Sequence, residues 1–142
     1  MKVIYVAGEG LVGATIRAFE RGQWSHVGVI DGDHVIEAVW NDGVRYRRLD
    51  SLLLTRPEHE ILTIDLPNEA GAIDWLRSQI GKPYDWTGVL GLGFNRNWQE
   101  ESRWYCSELT ASAAIKGGRP APVNLRRLGV KASYIWFGGE NP

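Results

Sequence analysis

A chain of 142 residues with a formal net charge of −1, 44% hydrophobic and 23% charged residues has the composition of a single folded domain spanning residues 1–142. The balanced charge leaves no basic excess for nucleic acid or an anionic membrane, and no run approaches the roughly 20 apolar residues of a membrane span. One cysteine excludes an internal disulfide, and without Cys/His clusters at zinc spacing no metal or cofactor is expected.

Met1 to Val6 is too short and too polar for a signal peptide, so a cytoplasmic protein is expected, with export by a non-classical route left open. Oligomeric state is not readable. Residues 2–7 read as a first strand, Gly8-Glu9-Gly10 as a turn, and Leu11 to Glu20 as a helix with apolar residues at helical spacing. Ser25 to Ile30 and Asp33 to Val39 form the clearest strand pair, joined by Asp31-Gly32, a dipeptide suited to a two-residue hairpin. With Asp31 and Gly32 as the loop, Ile30 faces Asp33, Gly28 faces Val35 and His26 faces Glu37. Val27, Val29, Ile36 and Ala38 then cover the other side of the sheet and enter the core. Asp42-Gly43 marks a second hairpin, leading into a strand at Val44 to Leu49, and its two-residue form puts Arg48 opposite Glu37. Arg45, Arg47 and Arg48 read as a solvated edge that discourages strand addition.

Ser51 to Thr55 suggests a helical turn and His59 to Leu66 a strand. Asn68 is placed to cap a helix from Glu69 to Ile80, with Ala72, Ile73, Leu76 and Ile80 inward. Gly81 and Pro83 end it. Thr87 to Phe94 reads equally as loose helix or loop. Cys106 opens a helix running to about Lys116, which Gly117-Gly118 stops. Tyr134-Ile135-Trp136-Phe137 reads as a last strand or a docked edge.

Cys106 invites two readings. A buried cysteine behaves as a small hydrophobe. A thiol at a helix N-terminus, near unpaired N–H groups and the positive end of the dipole, is favoured as thiolate. A cysteine nucleophile also needs a base and a group that orients the base. His26 and Glu37, opposed on the first hairpin, supply both, provided the Cys106 helix docks across the face that carries His26. Singly, each has a plain structural alternative: a half-buried histidine, a cross-strand charge pair. His34 points to the opposite side of the sheet, and His59 sits at a strand entrance. Trp24 and Trp104, two residues before His26 and Cys106, either fill the core or line a substrate groove.

Trp24-Ser25-His26-Val27-Gly28-Val29-Ile30, Val35-Ile36-Glu37-Ala38 and Tyr105-Cys106-Ser107-Glu108-Leu109 resemble the motifs of the permuted NlpC/P60 cysteine peptidases, the YiiX/YaeF-like group. That group is papain-like and related to the lecithin:retinol acyltransferase family. The order His, orienter, Cys is the permuted one, and Gly81-Lys82-Pro83-Tyr84-Asp85 is similar to the tyrosine-bearing segment before the cysteine helix. The resemblance implies an α+β, circularly permuted papain-like fold with an antiparallel sheet packed on helices. It implies Cys106 as nucleophile, His26 as base and then acid, and Glu37 as orienter. The Cys106 backbone N–H becomes an oxyanion donor. The resemblance makes Tyr84 a substrate-side or second oxyanion contact, against the plain reading of a packing tyrosine between helix and loop. The expected activity is hydrolysis of an amide bond through an acyl-enzyme, with cell-wall peptides as the implied substrate. A thiol acyltransferase or lipid-ester hydrolase is the alternative, and a non-catalytic binding module a further one.

Overall fold

A computed structural model describes residues 1–8, 21–85, 102–122 and 128–140. The helix expected at 11–20 and the undecided segment at 87–94 lie outside the described residues. Within them the chain is α+β, with a five-stranded antiparallel sheet in the order β4-β3-β2-β1-β5. The strands are β1 (Lys2–Val6), β2 (His26–Asp31), β3 (His34–Val39), β4 (Gly43–Arg48) and β5 (His59–Thr63). The helices are α1 (Leu49–Thr55), α2 (Glu69–Ser78), α3 (Cys106–Lys116) and α4 (Val130–Trp136). Among the described residues no helix is long and apolar enough to cross a membrane.

Strand alternation divides the sheet into two sides. Val3, Tyr5, Val27, Val29, Ile36 and Ala38 point one way and pack with Leu76 of α2, Leu109 and Ala113 of α3, and Tyr134 of α4. Ile4, Val6 and Val35 point the other way and are covered by Leu52 of α1. Asn68 caps α2 as expected, its Oδ1 accepting from the Gly71 N–H at 3.0 Å.

Both hairpin registers differ from the sequence expectation. In the first, Asp31 pairs with His34, Ile30 with Val35 and Val29 with Ile36. The loop residues are therefore Gly32 and Asp33, and of the two only Gly32 has positive φ, at 63°. Glycine at the first central position is the requirement of a type II′ turn, which displaces the loop by one residue and the pairing by two. An even shift keeps every side chain on its expected side. His26 and Glu37 still share a side, as diagonal rather than direct neighbours. In the second hairpin Glu37 pairs with Arg45, not Arg48. Its turn spans residues 40–42 and is closed by the Asp42 N–H to Val39 O at 3.3 Å, with Gly43 following at φ 71°. This odd shift turns Arg45 and Arg47 onto the side that carries Glu37.

Two further expectations need correction. The run Tyr134 to Phe137 belongs to a helix, not a strand. Val130, Ser133 and Tyr134 are its buried positions, and the buried Phe137 that follows as its C-cap continues the helical spacing. Ile80 does not face inward: α2 stops at Ser78 and Ile80 is exposed.

Candidate active site

His26 is the first residue of β2 and pairs with Val6, the last residue of β1, so its imidazole stands at one end of the sheet. Ahead of it Ser25 is buried, and its Oγ accepts from the Gly8 N–H. His26 Nε2–H donates to Glu37 Oε2 at 2.7 Å. The other Glu37 oxygen, Oε1, accepts from Arg45 Nε at 3.1 Å and Nη2 at 3.0 Å. Arg45 also pairs with Asp42. Glu37 itself is 1% exposed and His26 19%. A buried carboxylate with both oxygens engaged by charged donors is a fixed orienter. Gly28 makes this packing feasible: a Cβ there would press on Val35 and lie 3.4 Å from Glu37 Cβ.

Cys106 opens α3 after Tyr105, whose extended backbone (φ −108°, ψ 164°) provides no side-chain cap. The first N–H groups of the helix thus meet no capping side chain at Tyr105, in the position where an oxyanion needs donors. Two hydrogen bonds pin this end of the helix, from Ser107 Oγ at 2.7 Å and Tyr105 Oη at 3.2 Å, both to Leu128 O. The helix lies against the apolar side of the sheet, not across the side bearing His26 as expected from sequence. The two residues meet because His26 stands at the sheet's end and Cys106 at the helix's end. Cys106 and His26 line the same cavity and are electrostatically coupled, while His26 Nε2 is engaged by Glu37.

The electrostatics favour an imidazolium. Burial works against it, but hydrogen bonds to Cys106 and Glu37, and then their charges, push the His26 pKa up from 6.5 to about 10. For Glu37, burial opposes ionisation, and the hydrogen bond and charge of His26, with the charge of Arg45, bring its pKa down to about 2. Arg45 is the participant that the sequence expectation missed, since it was assigned to a solvated edge.

Tyr84 reaches the same place by a different route. Asp85 N–H donates to Trp104 O at 2.9 Å and Trp104 N–H to Pro83 O at 3.1 Å, a parallel bridge that sets Tyr84 beside the residue before Cys106's neighbour. Val44 N–H donates to Lys82 O at 2.9 Å, and Gly43 lies so close to Lys82 O that any side chain there would collide. Burial, then the electrostatic influence of Cys106, raises the Tyr84 pKa above the ordinary phenol range, so its hydroxyl keeps its proton. A cavity of about 180 Å³ joins these groups, lined by His26, Glu37, Tyr84 and Cys106 together with Trp40 and three arginines.

Trp24 and Trp104, expected either in the core or beside substrate, are in the core, 5% and 2% exposed, and neither lines the cavity. Trp104 stacks edge-on against Trp75, with ring centroids 5.4 Å apart, and its Nε1–H donates to Gln79 Oε1 at 3.2 Å. His34 binds Asp33 Oδ1 at 2.7 Å, and His59 Nδ1–H donates to Pro57 O at 2.8 Å, both away from Cys106.

The arrangement is a cysteine–histidine–glutamate constellation on an α+β scaffold. That scaffold is similar to the crystal structure of YiiX from Escherichia coli O157:H7, a DUF1105 protein described as a metalloprotein. The TM-score is 0.61 at 20% identity, over 79% of this chain and 62% of the other, so the chain spans about three fifths of that structure's length. At this identity the likeness is one of fold. No protein-family model and no curated sequence matches the chain. Among the described residues no group of three or more His, Cys, Asp and Glu side chains is placed to hold a metal ion.

Proposed function

We propose that the protein is a cysteine-dependent acyl hydrolase of the permuted papain-like, NlpC/P60 type, acting on an amide bond. The observation that carries this reading is the convergence of Cys106, His26 and Glu37 on one cavity, with Glu37 held by Arg45 on its far side. In this mechanism the Cys106 sulfur attacks the acyl carbonyl carbon. The oxyanion that forms is met by the Cys106 backbone N–H and the Tyr84 hydroxyl. The carbon–nitrogen bond then breaks, and His26 gives its proton to the departing amine. A water enters, His26 takes one of its protons, and the hydroxide cleaves the thioester to release acid and free thiol. Glu37 keeps the ring oriented and its positive form stable throughout. Peptides of the cell wall are the substrates suggested by the motif resemblance. The YiiX-like fold supports that group membership, although the metalloprotein description belongs to the neighbour alone.

Intact mass after incubation with peptide amides and activated acyl esters tests the reading. The wild type should gain one acyl mass at Cys106, His26→Ala should retain any adduct longer, and Cys106→Ala should gain none. An adduct of equal yield on Cys106→Ala would exclude Cys106 as nucleophile.

A further inference from the structure

Among the described residues the cavity beside Cys106 is lined by three arginines, Arg45, Arg47 and Arg56, against one acidic residue, Glu37. Arg45 is already balanced by Glu37 and Asp42. Arg47 has no ion pair among the described residues: its Nη2 donates to Ser51 O at 3.0 Å and Thr55 Oγ1 at 2.7 Å, both neutral acceptors that fix the side chain without cancelling its charge. The Arg56 side chain makes no hydrogen bond or ion pair among the described residues, while its backbone N–H is used to close α1 on Leu52 O at 2.8 Å. Both residues are half-buried at the wall of a concave site. Half-buried cations without counter-charges focus the field in a cleft and select anions, and a guanidinium matches a carboxylate or phosphate with two parallel hydrogen bonds.

We infer that the substrate carries an anionic group, a carboxylate or a phosphate, bound by Arg47 and Arg56 while its acyl carbon faces Cys106. This rests on the reading of Cys106 as the nucleophile, a residue 4% exposed that is reached through the cavity it lines. Arg47 is the partner fixed in advance, and Arg56 is the one free to close on the ligand. Both come from the segment that includes β4 and α1, so the anion is held on the side of the cavity away from α3.

Alkylation of Cys106 separates the two readings, because iodoacetate and iodoacetamide deliver nearly the same group and differ in charge. The expected result is that iodoacetate outpaces iodoacetamide at Cys106 by roughly fivefold to tenfold at low salt, with the preference shrinking as salt rises. Arg56→Gln should remove most of that preference and leave the iodoacetamide rate unchanged. Arg47→Gln should do the same, and Arg56→Lys, which keeps the charge, should retain part of it. Protection of Cys106 from iodoacetamide by inorganic phosphate but not acetate would assign the phosphate form, and the reverse would assign the carboxylate. Equal rates for the two reagents in the wild type would overturn the inference while leaving the nucleophile in place. A parallel fall of both rates in Arg56→Gln would also overturn it, since the arginine would then be tuning the thiol. No reaction with either reagent would overturn both readings.

Discussion

The two sides of the sheet solve different problems. The side packed on α2, α3 and α4 is dry, built from Val3, Tyr5, Val27, Val29, Ile36 and Ala38 with the aromatic rings of Trp24, Trp104 and Tyr134. The other side carries a small apolar cluster under α1, and at its end a set of charged groups around Glu37. Burial of hydrocarbon on the first side stabilises the fold at about 25 cal/mol per Å². On the second side burying Glu37 is costly, and His26 and Arg45 offset the cost only while both remain. Charged pairs at such a cost belong where orientation matters more than stability. Substitutions on the dry side should therefore change the melting temperature, and those at the charged end should change chemistry first.

The largest expected effect is at the proposed catalytic pair, Cys106 and His26. Cys106→Ala and His26→Ala should each lower acyl-enzyme turnover by a factor of at least about 10³, while far-UV circular dichroism stays that of the wild type. A loss of fold in Cys106→Ala would break the comparison, because it would make the thiol a packing residue.

Glu37→Gln comes next. It keeps the shape of the side chain and removes the charge. Turnover should fall roughly 10²- to 10⁴-fold. The His26 pKa, raised to about 10 in part by Glu37, should drop, as read from imidazole proton shifts in NMR. The sign for stability follows from the same shift. A histidine whose folded pKa lies above its unfolded value stabilises fully below about 6.5, and that contribution fades as pH rises through about 10. Glu37, lowered to about 2, contributes above its unfolded value of 4.5 and loses it as pH falls through about 2. Urea unfolding of wild type against His26→Gln should therefore show a difference that narrows between neutral pH and pH 10. A difference that widens over that range would contradict the charged pair.

Arg45→Ala should be milder. Arg45 is 33% exposed, so solvent screens its pairing with Glu37. About 1–2 kcal/mol of stability should be lost by chemical denaturation, and turnover should fall roughly tenfold as Glu37 loses one of its two anchors.

How far these groups were legible in the chain depends on what decides their position. The Cys106–Lys116 helix and the Asn68 cap are written in local residues, and both stand where the sequence places them. The sharing of one side by His26 and Glu37 survived a wrong loop because the strand period is two and the error was even. Arg45 did not survive, because a three-residue turn at 40–42 shifts the pairing by an odd number. Nothing in β4 beyond its first residue signals that choice; the cue is Gly43, whose positive φ and close approach to Lys82 O demand glycine just after the turn. The helix at Val130–Trp136 was hidden for another reason. Its apolar run invited a strand, whereas the helical spacing of Val130, Ser133, Tyr134 and Phe137 is visible only when the window starts four residues earlier. Docking of the cysteine helix on the dry side is tertiary information, and a search for residues facing His26 across one side of the sheet does not find it.

Trp104→Phe is the smallest effect and the most discriminating one. Trp104 lies two residues before Cys106, yet it packs on Trp75 and hydrogen-bonds Gln79, and the cavity does not include it. Phenylalanine keeps an aromatic ring against Trp75 but loses the indole N–H, leaving Gln79 Oε1 with the Lys82 ammonium, which donates to it at 2.6 Å. The loss of one net hydrogen bond and part of a ring volume should cost about 1–2 kcal/mol. For a chain of this length that is roughly 2–6 °C in melting temperature. Acyl-enzyme formation should change by less than about twofold, since the Pro83–Trp104 backbone bridge that positions Tyr84 does not depend on the side chain. A large fall in acylation at an unchanged melting temperature would place Trp104 on the substrate side after all, and the division between a dry face for stability and a charged end for chemistry would fail at the residue where the two lie closest in sequence.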